Sequence, residues 1–190
     1  MTYFCIDCEA SGQLAPLYNL LSIGAVAVRP EGDHHLLGDS YYVELKPVFP
    51  GFDPAALAVC GLDVERLRRD GIEPAEAMQG FSNWVAEQNG ASRERPIFVG
   101  HNAVFDWAYI AYYYAHFGLE NPFGYKGIDT KSLAMGRLDL SWNATSKSVL
   151  KRRLDLPAMD PARVHRADYD AWYQALILKG LLDHRPAGGE

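Results

Sequence analysis

The sequence predicts an α/β fold built on a mixed sheet, and three observations predict it. Three runs of strand character come first, joined by short links, as in an antiparallel meander. Two further strand-like runs then alternate with helical patterns, which adds strands from an α/β layer arrangement to the same sheet. Hydrophobic residues at 48% and charged residues at 22% of 190 positions are the balance of an ordinary globular chain, long enough for one domain over 1–190.

The first strand runs through Phe4-Cys5-Ile6-Asp7-Cys8-Glu9 and ends at Ala10-Ser11-Gly12. The second is Leu20 to Val28, followed by a turn signal at Pro30-Glu31-Gly32-Asp33. The third is Tyr41 to Leu45, closed by Lys46-Pro47. Asp53 is placed to cap a helix whose first residue is Pro54, and that helix breaks near Gly61. A short helix over Asp63 to Arg69 and a longer one over Pro74 to Gln88 follow. Ala77, Phe81, Trp84 and Val85 recur on one face of the latter and predict core packing. Pro96 to Val99 is a buried strand broken at Gly100-His101-Asn102. A helix from about Val104 to Phe117 comes next, then a short strand at Ile128, and a helix over Lys131 to Gly136 capped by Asp129-Thr130. Ser146 to Leu154 reads as a basic helix. The last helix spans about Ala167 to Leu182, and the polar tail 185–190 is expected to fray.

A net charge of −6 argues against a protein that coats duplex nucleic acid, but not against an enzyme that grips a few nucleotides. Acidic residues that bind cations themselves push the count negative. Three cysteines, Cys5, Cys8 and Cys60, at low density predict a reducing, cytoplasmic compartment. Cys5 and Cys8 lie three apart on one strand, so they face opposite sides, and no second pair completes a zinc site. No apolar run reaches 18 residues and no basic-then-apolar leader precedes the first strand, so neither a membrane span nor a signal peptide is expected.

Asp7 and Glu9 are two apart on a strand and point to the same side. Two acids together at the end of a buried strand are costly unless something positive sits between them, and a divalent cation is the simplest partner. Asp106 falls in the first turn of the helix after the Gly100-His101-Asn102 break. Asp170 falls in the first turn of the last helix, with His165 just outside it. Taken singly, each Asp is explained by matching the positive end of a helix. Taken together, four carboxylates can hold two hard cations about 3.5–4 Å apart, which suits an in-line displacement at phosphorus. Histidine is the side chain suited to take the proton of an attacking water.

Asp7-Cys8-Glu9-Ala10-Ser11-Gly12, then Gly100-His101-Asn102-Ala103-Val104-Phe105-Asp106, then His165-Arg166-Ala167-Asp168-Tyr169-Asp170 occur in that order. This pattern resembles the DEDDh group of 3′–5′ exonucleases, and the likeness extends from Tyr3 to Leu182. The resemblance implies a ribonuclease-H-like sheet of five strands, the first three antiparallel, flanked by helices. It implies Asp7, Glu9, Asp106 and Asp170 as ligands of two divalent cations, magnesium with manganese as a substitute, and His165 as the residue that orients or deprotonates the water. It implies nucleoside 5′-monophosphates released from single-stranded RNA or DNA 3′ ends. The backbone of Ala10, Ser11 and Gly12 would meet the terminal nucleotide, and Asn102 lies where the family contacts substrate. Ala10-Ser11 stands where threonines are common in the family, a departure beside the site.

Cations at Lys147, Arg163 and Arg166 are candidates for gripping phosphates, and Tyr18 or Leu20 for stacking on bases. Each has a plainer reading, as solvated charge or sheet packing. Tyr109, Tyr112, Tyr113 and Tyr114 cannot all face one way on a helix. Some must be core, and an exposed remainder is the candidate face for a homodimer. A polymerase-associated proofreading role and a catalytically silent binding module are the alternatives. The complete set of five residues weighs against the second.

Overall fold

The computed structural model describes residues 1–184, so the tail expected to fray lies outside the described residues. Strands β1 (Tyr3–Ala10), β2 (Leu20–Glu31) and β3 (His34–Glu44) form an antiparallel meander. Strands β4 (Ile97–Gly100) and β5 (Gly127–Asp129) join the other edge of β1 in parallel, giving the order β3-β2-β1-β4-β5. The mixed five-stranded sheet expected from the sequence is the one observed.

Alternation along β1 sorts its side chains. Phe4, Ile6, Cys8 and Ala10 pack with Phe81 and Val85 of α3 (Pro74–Asn89) and with Tyr109, Ile110 and Tyr113 of α4 (Val104–His116). Cys5 packs on the opposite face with Ala171, Ala175 and Leu178 of α7 (Ala167–Asp183). The two thiols thus serve two different core layers. Asp7 and Glu9 share the face of Cys5 and look toward α7. That helix comes so near β2 that a Cβ on Gly24 would sit 2.0 Å from the carbonyl oxygen of Ala167. Only glycine permits this approach, and the approach sets the height of Asp170 above the sheet.

The helix starts follow their caps. Asp53 accepts from the Ala55 N–H ahead of α1 (Pro54–Cys60). Asp63 accepts from Glu65 and Arg66 ahead of α2 (Val64–Asp70), and Asp129 accepts from Lys131 and Ser132 at the start of α5 (Thr130–Leu138). The basic helix is α6 (Lys147–Arg153).

The hairpin differs from expectation. Pro30 and Glu31 stay in the ladder, opposite His35 and His34, so the turn shrinks to Gly32 and Asp33. Residues 34–40 are largely exposed, and their two apolar residues, Leu36 and Leu37, are adjacent, so no apolar alternation announces the strand. Backbone pairing alone extends the strand there.

Three of the four helical tyrosines, Tyr109, Tyr113 and Tyr114, are buried, and only Tyr112 keeps partial exposure. Their hydroxyls fix the chain around β1. Tyr109 donates to the Gly12 carbonyl at 2.9 Å, and the Leu20 N–H donates to Tyr113 Oη at 2.8 Å. Leu20 itself is fully buried, so sheet packing and not stacking is its role. Among the described residues, no helix is long and apolar enough to cross a membrane.

Candidate active site

β4 pairs with β1 only at Tyr3–Cys5, so β1 overhangs it from Ile6 to Ala10. The Cys8 N–H on this overhang is taken by Asp106 Oδ1 at 2.8 Å. A side chain from α4 thereby stands in for the missing strand. It also brings a third carboxylate to the end of β1 from the face opposite α7. Asp170 supplies the fourth from the first turn of α7. Its Oδ2 accepts from the His165 N–H at 2.7 Å, and its Oδ1 is ion-paired with Lys147.

These groups surround a cavity of about 400 Å³, lined by Asp7, Glu9, Asp106, Asp170, His101, Asn102, Lys147 and His165, among others. Asp7, Glu9 and Asp170 each present an oxygen within 4.8 Å of the others. Asp106 lines the same cavity but turns one oxygen to Cys8. Asp106 and Asp170 are 5% and 4% exposed, so the desolvation they suffer is severe.

The electrostatics follow from burial. Desolvation, then the charges of Asp170 and Asp106, push Glu9 up to about 8, against the pull of Lys147. Burial pushes Asp106 up to about 7 despite the stabilising Cys8 N–H. Asp7 is raised well above the carboxylate range, by burial first and by Asp106 next. Four acids facing one ammonium are short of positive charge, and their donor atoms are all oxygens. That set fits hard divalent cations. Among the described residues Lys147 is the cation paired inside this cluster, where it supplies part of the charge a metal would bring.

The sequence-predicted residues divide sharply. Asp7, Glu9, Asp106, Asp170, His165, Asn102 and Lys147 line one cavity. Ala10 and Gly12 line a neighbouring groove of about 340 Å³ that meets the cavity at Phe105. The Ser11 side chain faces inward instead. Fully buried, its hydroxyl accepts from Asn19 N–H and donates to Gly51 O, both at 2.8 Å, closing the loop after β1. Tyr18 packs its ring against Gly12, where a Cβ would lie 2.2 Å from it. Arg166 does not line the cavity, because its exposed guanidinium bonds Asp168 at 3.1–3.3 Å. Arg163 lies over the Tyr169 ring, 4.4 Å from its centroid.

Two residues escaped the sequence reading. Gln174, one turn after Asp170 and 1% exposed, donates Nε2 to Asp7 Oδ1 at 2.5 Å, while its Oε1 has no partner. His101 places Nδ1 2.8 Å from Thr130 Oγ1, and burial, with the charges of Lys147 and Lys131, pushes it down to about 4. His101 stood in a quoted motif without a role. Gln174 had one signal, its i+4 spacing from Asp170 on an otherwise apolar helix face.

No family model matches the chain. The chain is 36% identical over 184 residues to the 3′–5′ DNA exonuclease Cap18 of Escherichia coli, covering 95% of this chain and 91% of that protein. It is 28% identical over 185 residues to Ribonuclease T of Haemophilus influenzae, covering 94% and 78%. In fold it is similar to the nuclease domain of 3′hExo, a DEDDh family member solved with rAMP, with a TM-score of 0.79 at 12% identity over 95% of this chain and 91% of that one. With its acidic residues gathered at one strand end and a relative this similar along nearly its whole length, the chain belongs to the DEDDh family of 3′–5′ exonucleases.

Proposed function

We propose that this exonuclease removes nucleotides one at a time from the 3′ end of single-stranded nucleic acid and releases nucleoside 5′-monophosphates. The observation that carries the reading is the meeting of Asp7, Glu9 and Asp170 within 4.8 Å, in one cavity with Asp106 and His165. Asp7, Glu9, Asp106 and Asp170 would hold two divalent cations, magnesium in the first instance. When bound, such cations supply Lewis-acid stabilisation of the charge that develops on the attacking and leaving oxygens. The remaining work falls to the chain's own residues. His165 takes the proton from the attacking water at the cavity mouth. The Ala10–Gly12 backbone, with Phe105 behind it, receives the terminal nucleotide. Lys147 is placed to leave Asp170 and grip a non-bridging phosphate oxygen, with Asn102 beside it. The three free thiols support a reducing, cytoplasmic setting.

DNA is the favoured polymer, because the relative named as a DNA exonuclease shares 36% of residues and Ribonuclease T shares 28%. The test is digestion of matched 5′-labelled DNA and RNA strands with Mg²⁺, with products separated by chromatography. Successive shortening with release of 5′-monophosphates is expected, fastest on DNA, and lost in Asp170→Asn. Release of 3′-monophosphates, or full activity in Asp170→Asn, would falsify the reading.

A further inference from the structure

Resting on that reading of the acidic cavity, we propose that Trp142 and Lys131 form an upstream subsite for the single strand. A base on the 5′ side of the scissile bond stacks on the Trp142 indole, and a phosphate beside it meets the Lys131 ammonium.

The ring is exposed and firmly mounted. Trp142 is 45% exposed, in a 3-10 turn, Trp142–Ala144, between α5 and α6. Fully buried Thr145 grips its carbonyl twice, through Oγ1 at 2.6 Å and through its N–H at 3.2 Å. Such a mount orders the turn before any ligand arrives, which lowers the entropy cost of binding. Lys131 holds Nζ 4.3 Å from the indole centroid, and among the described residues no carboxylate pairs with it. Arg166, by contrast, is already paired with a carboxylate, Asp168.

The pair also sits beside the cavity. Thr130, next to Lys131, bonds His101, a lining residue, and the charge of Lys131 is felt at that imidazole. In the other direction, Trp142 is followed five residues later by Lys147, whose ammonium lies inside the cavity. An aromatic plate beside a cation that no carboxylate neutralises is the chemistry that holds single strands without reading their sequence. A solvated lysine resting on an indole would leave substrate length without effect.

The experiment measures kcat/KM on a dinucleotide and on an octanucleotide. Wild-type enzyme should gain with length. Trp142→Ala should cut that gain about five- to a hundredfold, mostly through KM, and Trp142→Phe should keep most of it. Lys131→Ala removes one ammonium and gives a second reading should Trp142→Ala fail to fold. Its slope of log(kcat/KM) against log[salt] should be less negative by about 0.7 on the octanucleotide. The proposal is overturned by a length gain unchanged in Trp142→Ala, by equal loss in Trp142→Phe, or by a salt slope unmoved in Lys131→Ala. A wild-type enzyme that cleaves no 3′ end of any length would instead strike the reading of the cavity itself.

Discussion

Two turns bring a histidine to the acidic cavity. One follows β4 and carries His101. The other ends the irregular stretch before α7 and carries His165. Each puts a residue with a Cβ into left-handed backbone, Asn102 at φ +71° and His165 at φ +65°. That conformation costs about 1–2 kcal/mol per residue and persists only where surrounding contacts hold it. The outcomes differ. His101 is largely buried, tied to Thr130, and pushed down to about 4, so it stays neutral near pH 7. His165 is exposed at the mouth, and its backbone N–H secures Asp170. Burial separates the two imidazoles: His101 is enclosed beside Thr130, and His165 is open to solvent.

The largest effect expected from this contrast is in activity. His165→Ala should lower kcat by about 10²–10⁴-fold on a labelled strand. His101→Gln, which keeps a polar group near Thr130, should cost less than about tenfold. Equal losses would dissolve the distinction between the two turns.

The same rule extends to the carboxylates, where neighbours decide how each acid is used. Gln174→Leu removes the amide that holds one oxygen of Asp7 and should weaken Mn²⁺ binding about 10–100-fold by calorimetry. Gln174→Asn is too short to restore it. An affinity equal to wild type would make Gln174 a packing residue only.

Stability of the metal-free protein should carry a pH signature. Glu9 and Asp106 have folded values near 8 and 7, above their ordinary 4.5 and 3.8. Between those limits the folded state holds more protons than the unfolded, so their contribution is full below about pH 4 and is lost as pH rises through about 7–8. The melting temperature should therefore fall from pH 5 to pH 8. Glu9→Gln should flatten the slope, and Mn²⁺ should raise melting more at pH 8 than at pH 5. A slope identical in wild type and Glu9→Gln removes Glu9 as its source.

The smallest expected effect lies away from the chemistry. Tyr113→Phe leaves the Leu20 N–H buried and unpaired, and should cost about 1–2 kcal/mol of stability in urea unfolding. Activity should barely change, because Tyr113 is absent from the cavity lining.

Much of this was legible in the sequence where the cause is local. Asp53, Asp63 and Asp129 cap helices because a carboxylate reaches the free N–H groups two or three residues on, whatever surrounds it. Residues 34–40, without apolar alternation, gave no sign of their strand, since ladder hydrogen bonds use the backbone and leave no mark in side-chain pattern. The resemblance assigns Ser11 a role through its backbone, and nothing in the sequence shows that its hydroxyl turns to buried Asn19. Arg166 is a candidate phosphate contact by its charge, and the sequence does not show that Asp168, two residues away, pairs with it.

The sequence by itself determined that Asp7 and Glu9 share a face, because the strand period of two admits no other arrangement, and that Asp106, His165 and Asp170 belong with them by family order. Only the tertiary structure decided how they meet. β4 stops short and leaves the Cys8 N–H for Asp106, and Gly24 lets α7 settle low enough for Asp170 and Gln174 to reach β1. These are contacts between segments tens to over a hundred residues apart. Their geometry is fixed by packing of whole elements, a sum of many small terms that no local pattern records.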